Sequence, residues 1–312
     1  MKILEKLASK NKGKEVLKAV FVDNGTACAV LHSNYDIYTR ISKPSMFKNG
    51  IYKAGIRLTG DHEDGAIEIV KQPLVNNFVK SYKFNLQDLL SDLEYLKPAM
   101  SKKEARYYLN GVCFVGNDMV ATDGHRLHKV KTSFVFDNPD YNMGSIVHRD
   151  AIDIIILALK AQKKTVNDVS VALHNDAMTL LIGKYLIETV LIDGTYSDYE
   201  RVIPDIGGIE SSKFYRKDFK DAYKKLNVIR KAFMAHKNIC VTLEGGKLEY
   251  GTEIDDWHTE IDIHSTFNKR IGFNLGYLRD IPDGDIYIID NTSPATIKHD
   301  KNRLTVLMPV RV

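Results

Sequence analysis

The chain has 312 residues, 44% of them hydrophobic and 27% charged, which is ordinary for a soluble globular protein and long enough for two or three domains. Its 44 basic and 40 acidic residues leave a net charge of only +4, which excludes a histone-like basic tail and an acidic disordered chain. There is no run of the roughly 18 apolar residues that a membrane span needs, no apolar signal segment and no paired cysteines, so we expect a reduced, cytoplasmic protein.

The N-terminal segment 1–80 predicts one short helix and a series of strands. Apolar spacing within 3–17 indicates a short helix followed by a basic loop. Asn24-Gly25 lies between two β-rich segments and is a strong hairpin signal. The predicted strands are 19–23, 26–32, 35–41, 51–58 and 66–71. This region therefore reads as a reduced structural unit.

Beyond residue 80, a pattern of one helix, several strands, a second helix and further strands occurs twice. Helices are predicted at 86–96, 149–162 and 213–233, and a short one near Asn274. The strands are predicted at 106–114, 118–122, 169–173, 178–182, 185–192, 239–243, 248–252, 258–263, 286–290, 295–299 and 304–310. Runs of antiparallel strands between isolated helices exclude the alternation of a parallel-sheet enzyme. We predict an α+β fold with three domains, at 1–80, 81–208 and 209–312.

The helix predicted at 213–233 separates apolar from basic side chains. At 100° per residue, its apolar stripe consists of Tyr215, Phe219, Ala222, Leu226 and Ile229. The opposite stripe consists of Lys213, Lys217, Lys220, Lys224 and Lys231. Segment 211–231 holds eight basic residues against two acidic ones, so its charge exceeds that of the whole chain. Such a stripe suits contact with a phosphate backbone without base reading, and a merely solvated helix face is the alternative.

The sequence offers little support for catalysis. It contains no GxxxxGK[ST], GxGxxG, HExxH or GxSxG motif. The acidic groups Asp255-Asp256 and 61–64 could hold a metal, but turns favour such residues for backbone reasons. His125 has no nucleophile or second acid nearby in sequence, which favours a contact role. We predict no catalytic residue, metal or cofactor, and keep a metal-dependent nuclease that uses Asp255, Asp256 or His125 as the less favoured alternative.

Five segments match one protein family in order and spacing: RYYLNG at 106–111, VATDGHRL at 120–127, DGTYSDYERVIP at 193–204, GFNLGYL at 272–278 and VLMPVRV at 306–312. Together they resemble the bacterial β sliding clamp, the processivity subunit of the replicative DNA polymerase. The resemblance covers 81–312 well and 1–80 weakly. The first domain departs from the family pattern by lacking an opening strand and a second helix, which suggests a bacteriophage or other mobile-element version.

The resemblance implies a fold and a set of partners. Family members carry three similar domains of helices on antiparallel sheets, and two chains close head-to-tail into a ring lined by helices. It implies a processivity factor that encircles duplex DNA without reading sequence and binds a DNA polymerase and a clamp loader through short linear motifs. The reduced first domain leaves open a clamp-like module that binds peptides or DNA without encircling it.

The resemblance also implies a cleft for partner peptides between the second and third domains. The matching positions are Leu109, Thr122, Gly124, His125, Arg126, Leu127, Ser197, Arg201, Val202, Val306, Leu307, Met308, Pro309, Val310 and Arg311. An apolar pocket that contains an adaptable methionine and a polar rim suits such a role. Ser197 stands where the family usually has proline, and Val310 where it usually has methionine, so the preferred motif stays open.

Two further surfaces follow from the resemblance. The DNA-facing candidates are Lys10, Lys12, Lys14, Lys103, Tyr107, Tyr108, Lys213, Lys217, Lys220 and Lys224. The predicted strand 66–71 matches the family's edge strand at the subunit interface. By that match, Ile67 and Ile69 would pack against Val228 and Ile229 of the partner subunit.

Overall fold

The computed structural model describes residues 2–11, 20–33, 37–47, 50–53, 56–58, 80–102, 104–136, 144–232, 239–252 and 257–311. The chain forms two compact units, and each is described by itself. Unit 1 comprises Met1–Ala121 and Thr132–Ser197, and unit 2 comprises Thr122–Lys131 and Asp198–Val312. The division into three domains at residues 80 and 208 stays a prediction.

The described residues form five α-helices and eighteen strands. The helices are α1 Lys2–Ala8, α2 Leu86–Leu96, α3 Arg149–Gln162, α4 Arg216–Ala232 and α5 Leu275–Leu278. The first nine strands are β1 Val20–Asp23, β2 Thr26–His32, β3 Tyr38–Pro44, β4 Gly50–Lys53, β5 Ile56–Leu58, β6 Lys80–Asn85, β7 Gly111–Thr122, β8 Arg126–Phe136 and β9 Ser145–His148. The others are β10 Asp168–Leu173, β11 Ala177–Ile182, β12 Tyr185–Val190, β13 Ser211–Phe214, β14 Cys240–Thr252, β15 Trp257–Asn274, β16 Gly284–Tyr287, β17 Ala295–Lys298 and β18 Arg303–Leu307.

Unit 1 is built on a nine-stranded antiparallel sheet in the order β5-β4-β1-β2-β3-β12-β11-β10-β6. The predicted hairpin between β1 and β2 is confirmed, because Asn24 and Gly25 adopt φ angles of 44° and 72°. The pairing of β3 with β12 joins the N-terminal strands to those of the middle region, with Arg40 opposite Glu188. The sheet is therefore continuous across the predicted boundary at residue 80.

The helices α2 and α3 form where the sequence predicted them. The Asn85 side chain caps α2 by accepting hydrogen bonds from the backbone of Gln87 and Asp88. His148 caps α3 through Nδ1, which accepts from the backbone N–H of Asp150 at 3.3 Å. Burial lowers the pKa of His148, which keeps this nitrogen free to accept. The leucines of α2 and the isoleucines of α3 lie in the core of unit 1.

In unit 2, the helix α4 packs against antiparallel strands. The antiparallel strands β13, β16, β17 and β18 are neighbours in that order, and β18 pairs with residues 126–130 of β8. The ribbon of β14 and β15 also belongs to this unit. Phe219, Ala222 and Leu226 of α4 are buried among the side chains of these strands, and the ring of Phe219 stacks on Phe214 at 4.7 Å.

The start of α4 corrects the sequence analysis. The helix begins at Arg216, whose backbone N–H donates to Asp283 Oδ1 at 2.7 Å. Lys213 therefore lies on β13, where it pairs with Asp285 at 2.6 Å, and not on the helical stripe. Tyr215 is exposed, so its place in the predicted apolar stripe was wrong. Both residues precede the helix, and a helical periodicity does not apply to them.

Several predicted strands have other bounds in the structure. The segments 239–243 and 248–252 are one strand, β14, and Gly245 (φ 56°) lies at a register shift opposite β15 and not in a hairpin turn. The segments 106–114 and 118–122 are replaced by the continuous β7 and by a 3₁₀ turn at Glu104–Leu109. The first helix ends at Ala8. The predicted strand 66–71 lies outside the described residues.

Candidate functional site

A tight loop at 122–126 forms the first part of the candidate peptide site. Asp123 Oδ1 accepts the backbone N–H groups of His125 and Arg126 at 3.0 and 3.1 Å. The Thr122 hydroxyl donates to the Arg126 carbonyl at 2.7 Å and accepts from the Gly124 N–H at 3.1 Å. Gly124 has a φ of 84°, a conformation that side-chain-bearing residues rarely adopt. The sequence TDGHR thus specifies this loop through its own side chains.

The C-terminal segment lies beside this loop. Strand β18 pairs with β8, so that Val306 is opposite Leu127 and Leu307 is opposite Arg126. After β18 ends, the Met308 N–H donates to the His125 carbonyl at 2.9 Å. Val310 forms an isolated bridge with Gly272, and its N–H donates to the Gly272 carbonyl at 2.9 Å. The fold therefore brings together two of the predicted segments, 122–127 and 306–311.

Some of these residues are buried and support the site, and others are exposed at its surface. Leu127, Val306 and Leu307 are buried. Met308 has an exposed fraction of 40%, large for a methionine in contact with a folded strand. His125, Gly124 and Arg311 are also exposed, and Pro309 and Val310 are half-buried. An exposed apolar side chain beside polar groups is the composition expected of a peptide-binding surface.

Tyr277 and Asp280 also belong to this site, although the sequence did not indicate them. The Arg126 guanidinium lies 4.6 Å from the centre of the Tyr277 ring. The His125 ring is nearly parallel to the Tyr277 ring, and the centres of these two rings are 6.1 Å apart. Arg126 also contacts Asp280 at 3.4 Å. Burial raises the pKa of Tyr277. The segment GFNLGYL was noted as a helix entry, and its tyrosine was the available signal.

The remaining predicted cleft residues are placed as follows. Arg201 and Val202 lie in a 3₁₀ turn, where Arg201 pairs with Asp198 at 2.8 Å and Val202 is 45% exposed. Tyr199 precedes that turn, and Lys129 of β8 lies over its ring at 5.8 Å. Leu109 is buried and Ser197 is exposed. Both belong to unit 1, and their membership of the cleft stays a prediction.

The helix α4 presents the predicted basic face. Lys217, Lys220 and Lys224 are exposed, while Phe219, Ala222 and Leu226 are buried, as the periodicity predicted. Seven basic residues stand against two acidic ones within Arg216–Ala232. Lys224 pairs with Asp221 at 3.1 Å, and both groups are largely exposed, so the pair leaves the face strongly basic.

The other DNA-facing candidates differ in their surroundings. Lys10 contacts Asp153 at 3.4 Å, so a carboxylate of the same chain already balances part of the lysine's positive charge. Tyr107 and Tyr108 are half-buried and meet edge to face at 5.9 Å, in the 3₁₀ turn and not on a strand as predicted. Lys12, Lys14 and Lys103 lie outside the described residues.

The interface candidates are only partly described. Val228 on α4 is 68% exposed, and Ile229 is half-buried against the core of unit 2. An exposed valine on a basic helix face is compatible with a contact to another chain. Ile67 and Ile69 lie outside the described residues, so their pairing with Val228 and Ile229 stays a prediction.

The described part of the chain offers no metal site. No three histidine, cysteine or acidic side chains come together there as potential ligands. Asp255, Asp256 and the acidic segment 61–64 lie outside it. Burial raises the pKa of the Cys28 thiol to about 12, which makes that thiol a poor ligand and nucleophile at neutral pH. No helix in the described residues is long and apolar enough to cross a membrane.

Comparison with known proteins finds similarity to bacterial sliding clamps. The family model "DNA polymerase III beta subunit, central domain" matches residues 85–198. The chain is 27% identical to the beta sliding clamp of Rickettsia felis over 259 residues, which are 74% of this chain and 67% of that protein. It is 24% identical to the beta sliding clamp of Pseudomonas aeruginosa over 230 residues, covering 69% of this chain and 61% of that one. The aligned part is thus less than two thirds of the Pseudomonas protein.

Solved structures agree on the fold. A DnaN sliding clamp from Bartonella birtlesii bound to griselimycin superposes with a TM-score of 0.77, at 23% identity over 100% of this chain and 96% of that one. A DnaN sliding clamp from Pseudomonas aeruginosa bound to griselimycin gives 0.72 at 19% identity, covering 100% and 96%. Residues 85–198 thus match the central domain of the DNA polymerase III beta subunit, and the chain is similar in sequence and in fold to bacterial β sliding clamps.

Proposed function

We propose that this protein is a DNA sliding clamp that encircles duplex DNA and tethers a replicative polymerase through a peptide site. The observation that carries the proposal is the meeting of loop 122–126 with the C-terminal segment beside Tyr277, because the family resemblance assigns both segments to one peptide cleft. Under this proposal the protein has no catalytic residue and needs no cofactor. It acts in the cytoplasm, where replication takes place.

The peptide site would hold short segments of the polymerase and of a clamp loader. Met308 offers an adaptable apolar contact, and the exposed imidazole of His125 offers a polar group at its edge, while the buried Arg126 supports the site from below. Because two relatives in the family were crystallised with griselimycin, we expect the same compound to bind here. It provides a defined probe for the site.

The basic face of α4 would contact the phosphate backbone. Lys217, Lys220 and Lys224 point away from the core, and flexible lysines make phosphate contacts that exchange easily as a protein slides. A homodimeric ring of six domains, three from each chain, is the assembly that the family implies. In that ring, Ile67 and Ile69 would meet Val228 and Ile229 of the partner subunit.

The decisive experiment compares two DNA topologies. The protein is loaded onto nicked circular DNA, the complex is isolated by gel filtration, and half of it is linearised with a restriction enzyme. An encircling clamp stays on the circle and slides off the linear molecule. Equal retention on both favours the clamp-like module that does not encircle DNA. A strict monomer by light scattering at micromolar concentration, with no retention on circles, contradicts the ring.

The same material tests the nuclease alternative. Labelled single-stranded and duplex DNA is incubated with Mg²⁺ or Mn²⁺, and cleavage that is lost in Asp256→Ala would support that reading. We expect no cleavage in any of these reactions.

A further inference from the structure

The carboxylate of Asp280, just beyond α5, contacts a cationic side chain of the candidate peptide site. We infer that Asp280 is a positioning residue for that site, because it holds the Arg126 guanidinium against the Tyr277 ring. The inference rests on the proposed function and adds a residue that the sequence did not single out. Its argument uses only contacts within unit 2.

The guanidinium of Arg126 is fixed by two carboxylates. Its Nε donates to Asp123 Oδ2 at 3.2 Å, and its Nη1 donates to Asp280 Oδ2 at 3.4 Å. The side chain is only 9% exposed. A planar guanidinium held at two of its nitrogens has little rotational freedom, and here its plane centre lies 4.6 Å from the centre of the Tyr277 ring. Asp123 lies in the same loop, so Asp280 is the anchor that comes from another element.

Asp280 is itself held in place. Its Oδ1 accepts from Arg279 Nε at 3.1 Å, and the Arg279 guanidinium lies 4.1 Å from the centre of the Tyr223 ring of α4. Arg216, the first residue of α4, donates from Nε to the Arg279 carbonyl at 3.0 Å. The carboxylate is thus tied to the long helix of unit 2 through its neighbour Arg279, whose carbonyl and side chain both contact that helix. A fixed carboxylate fixes the arginine that it contacts.

Tyr277 connects the fixed Arg126 side chain to the exposed residues of the site. The ring of His125 stacks beside Tyr277, and the His125 carbonyl accepts the Met308 N–H. Arg126, Tyr277, His125 and Met308 therefore form a contact series in which one end is anchored by Asp280. Binding to a surface that is already ordered avoids the entropy cost of ordering it. Loss of the Asp280 carboxylate should weaken peptide binding while the fold is kept.

The test uses Asp280→Asn, with Asp285→Asn as the matched control. Asp285 is also a carboxylate of unit 2 in an ion pair, but its partner Lys213 lies on β13. Griselimycin binding is measured by calorimetry on the full chain. We expect Asp280→Asn to weaken binding about tenfold, the scale of one lost hydrogen bond to a charged group. Asp285→Asn should stay within about twofold of the wild type, since it touches none of these residues.

Two additional measurements separate positioning from general damage. In an Arg126→Lys background, Asp280→Asn should have no further effect on griselimycin affinity, because its partner is already gone. In arginine side-chain NMR spectra of the unliganded protein, the Nε–H signal of Arg126 should shift or broaden in Asp280→Asn and stay in place in Asp285→Asn.

Each outcome decides the inference. Wild-type affinity in Asp280→Asn, or an equal loss in the Arg126→Lys background, overturns the role of Asp280 and leaves the proposed function standing. Failure of the wild-type protein to bind griselimycin contradicts the inference together with the peptide site on which it rests. A tenfold loss that disappears in the Arg126→Lys background, with the Arg126 signal changed, supports it.

Discussion

Arg40 on β3 and Glu188 on β12 form a buried ion pair, with Nη2 and Nε of the arginine 2.5 and 2.7 Å from Oε2 of the glutamate. The two side chains are only 13% and 10% exposed. On the next pair of residues along the strands, the hydroxyls of Thr39 and Thr189 lie 3.0 Å apart. These contacts join the N-terminal strands to the middle region of unit 1 at the centre of the nine-stranded sheet.

We expect the free energy of unfolding to fall most when only one partner of this ion pair is removed. Glu188→Gln should lower the free energy of unfolding by about 3–5 kcal/mol, because the mostly buried Arg40 guanidinium loses the carboxylate that it contacts through two nitrogens. The double variant Arg40→Met with Glu188→Leu should recover most of that loss, since apolar residues of similar volume often replace a buried pair without penalty. Urea unfolding followed by circular dichroism measures both. Equal stability of wild type and Glu188→Gln would contradict the expectation.

A second prediction concerns acid stability and Asp218 of α4. Burial tends to raise the pKa of this carboxyl, but hydrogen bonds from the Ser265 hydroxyl and backbone and from His264 outweigh it, so the pKa lies below its ordinary value. A depressed carboxyl pKa contributes stability that is complete above the unfolded-state value of about 3.9. That contribution is lost as the pH falls through the folded-state value.

Asp218→Asn should therefore be less stable than wild type at pH 7, by about 1–3 kcal/mol, because hydrogen bonds to a charged acceptor are lost. The difference should shrink as the pH falls below about 4, where the unfolded-state carboxyl protonates, and should be lost once the pH passes the lowered pKa of the folded-state carboxyl. Thermal unfolding between pH 7 and pH 3 measures this. A constant difference across the range would show that Asp218 acts through shape alone.

The basic face of α4 should determine how DNA binding depends on salt. Reversal of Lys217, Lys220 and Lys224 to Glu should weaken retention on circular DNA while the oligomeric state is kept. If all three contact phosphates, the slope of log affinity against log salt should fall by about 3. The matched control reverses Lys184, Lys298 and Lys301, which are exposed elsewhere and change the net charge equally. If the control variant lost DNA just as readily, net charge alone would explain the effect.

The exposed methionine of the peptide site gives a further prediction. Met308→Ala should weaken griselimycin binding by about 1–3 kcal/mol, the usual range for truncating a central apolar contact. Met46→Ala serves as the control, because Met46 is fully exposed on unit 1. Isothermal titration with both variants compares them directly. Wild-type affinity in Met308→Ala would place the compound elsewhere.

Removal of residues 310–312 tests how the C-terminal segment is held. The deletion eliminates the hydrogen bond from the Val310 N–H to the Gly272 carbonyl, a contact that helps to fix the segment after Met308. We expect griselimycin binding to be lost, with unfolding of the rest of the chain little changed, because Leu307 and the strand before it keep their pairing. Unchanged binding by titration would show that Met308 is positioned by His125 alone.

Local patterns accounted for the elements with strong internal signals. The leucines of α2 and the cap at Asn85 lie close together along the chain, and the helix Leu86–Leu96 forms where the leucine spacing predicted it. The hairpin at Asn24-Gly25 needs only the φ freedom of those two residues. By contrast, the start of α4 depends on Asp283, which lies far along the chain, and the sequence analysis misplaced Lys213 and Tyr215 by helical extrapolation.

The sequence motifs also predicted part of the candidate site. The segments 122–127 and 306–311 were assigned together through the family resemblance, and their strand pairing was then observed. Tyr277 and Asp280 were not assigned, because nothing in a single sequence shows that a ring and a carboxylate at a short helix will meet an arginine from a much earlier part of the chain. Their role rests on distances that only the folded chain has.

The sequence by itself thus determined the α+β class, the resemblance to β sliding clamps, the basic face of α4 and the loop TDGHR, since each depends on short stretches of neighbouring residues. Only the tertiary structure decided that Arg40 meets Glu188 and that Arg126 is held between Asp123, Asp280 and Tyr277. The physical reason is that a hydrogen bond or ion pair acts over a few ångströms. Such partners can be far apart in sequence, and packing of the whole unit brings them together.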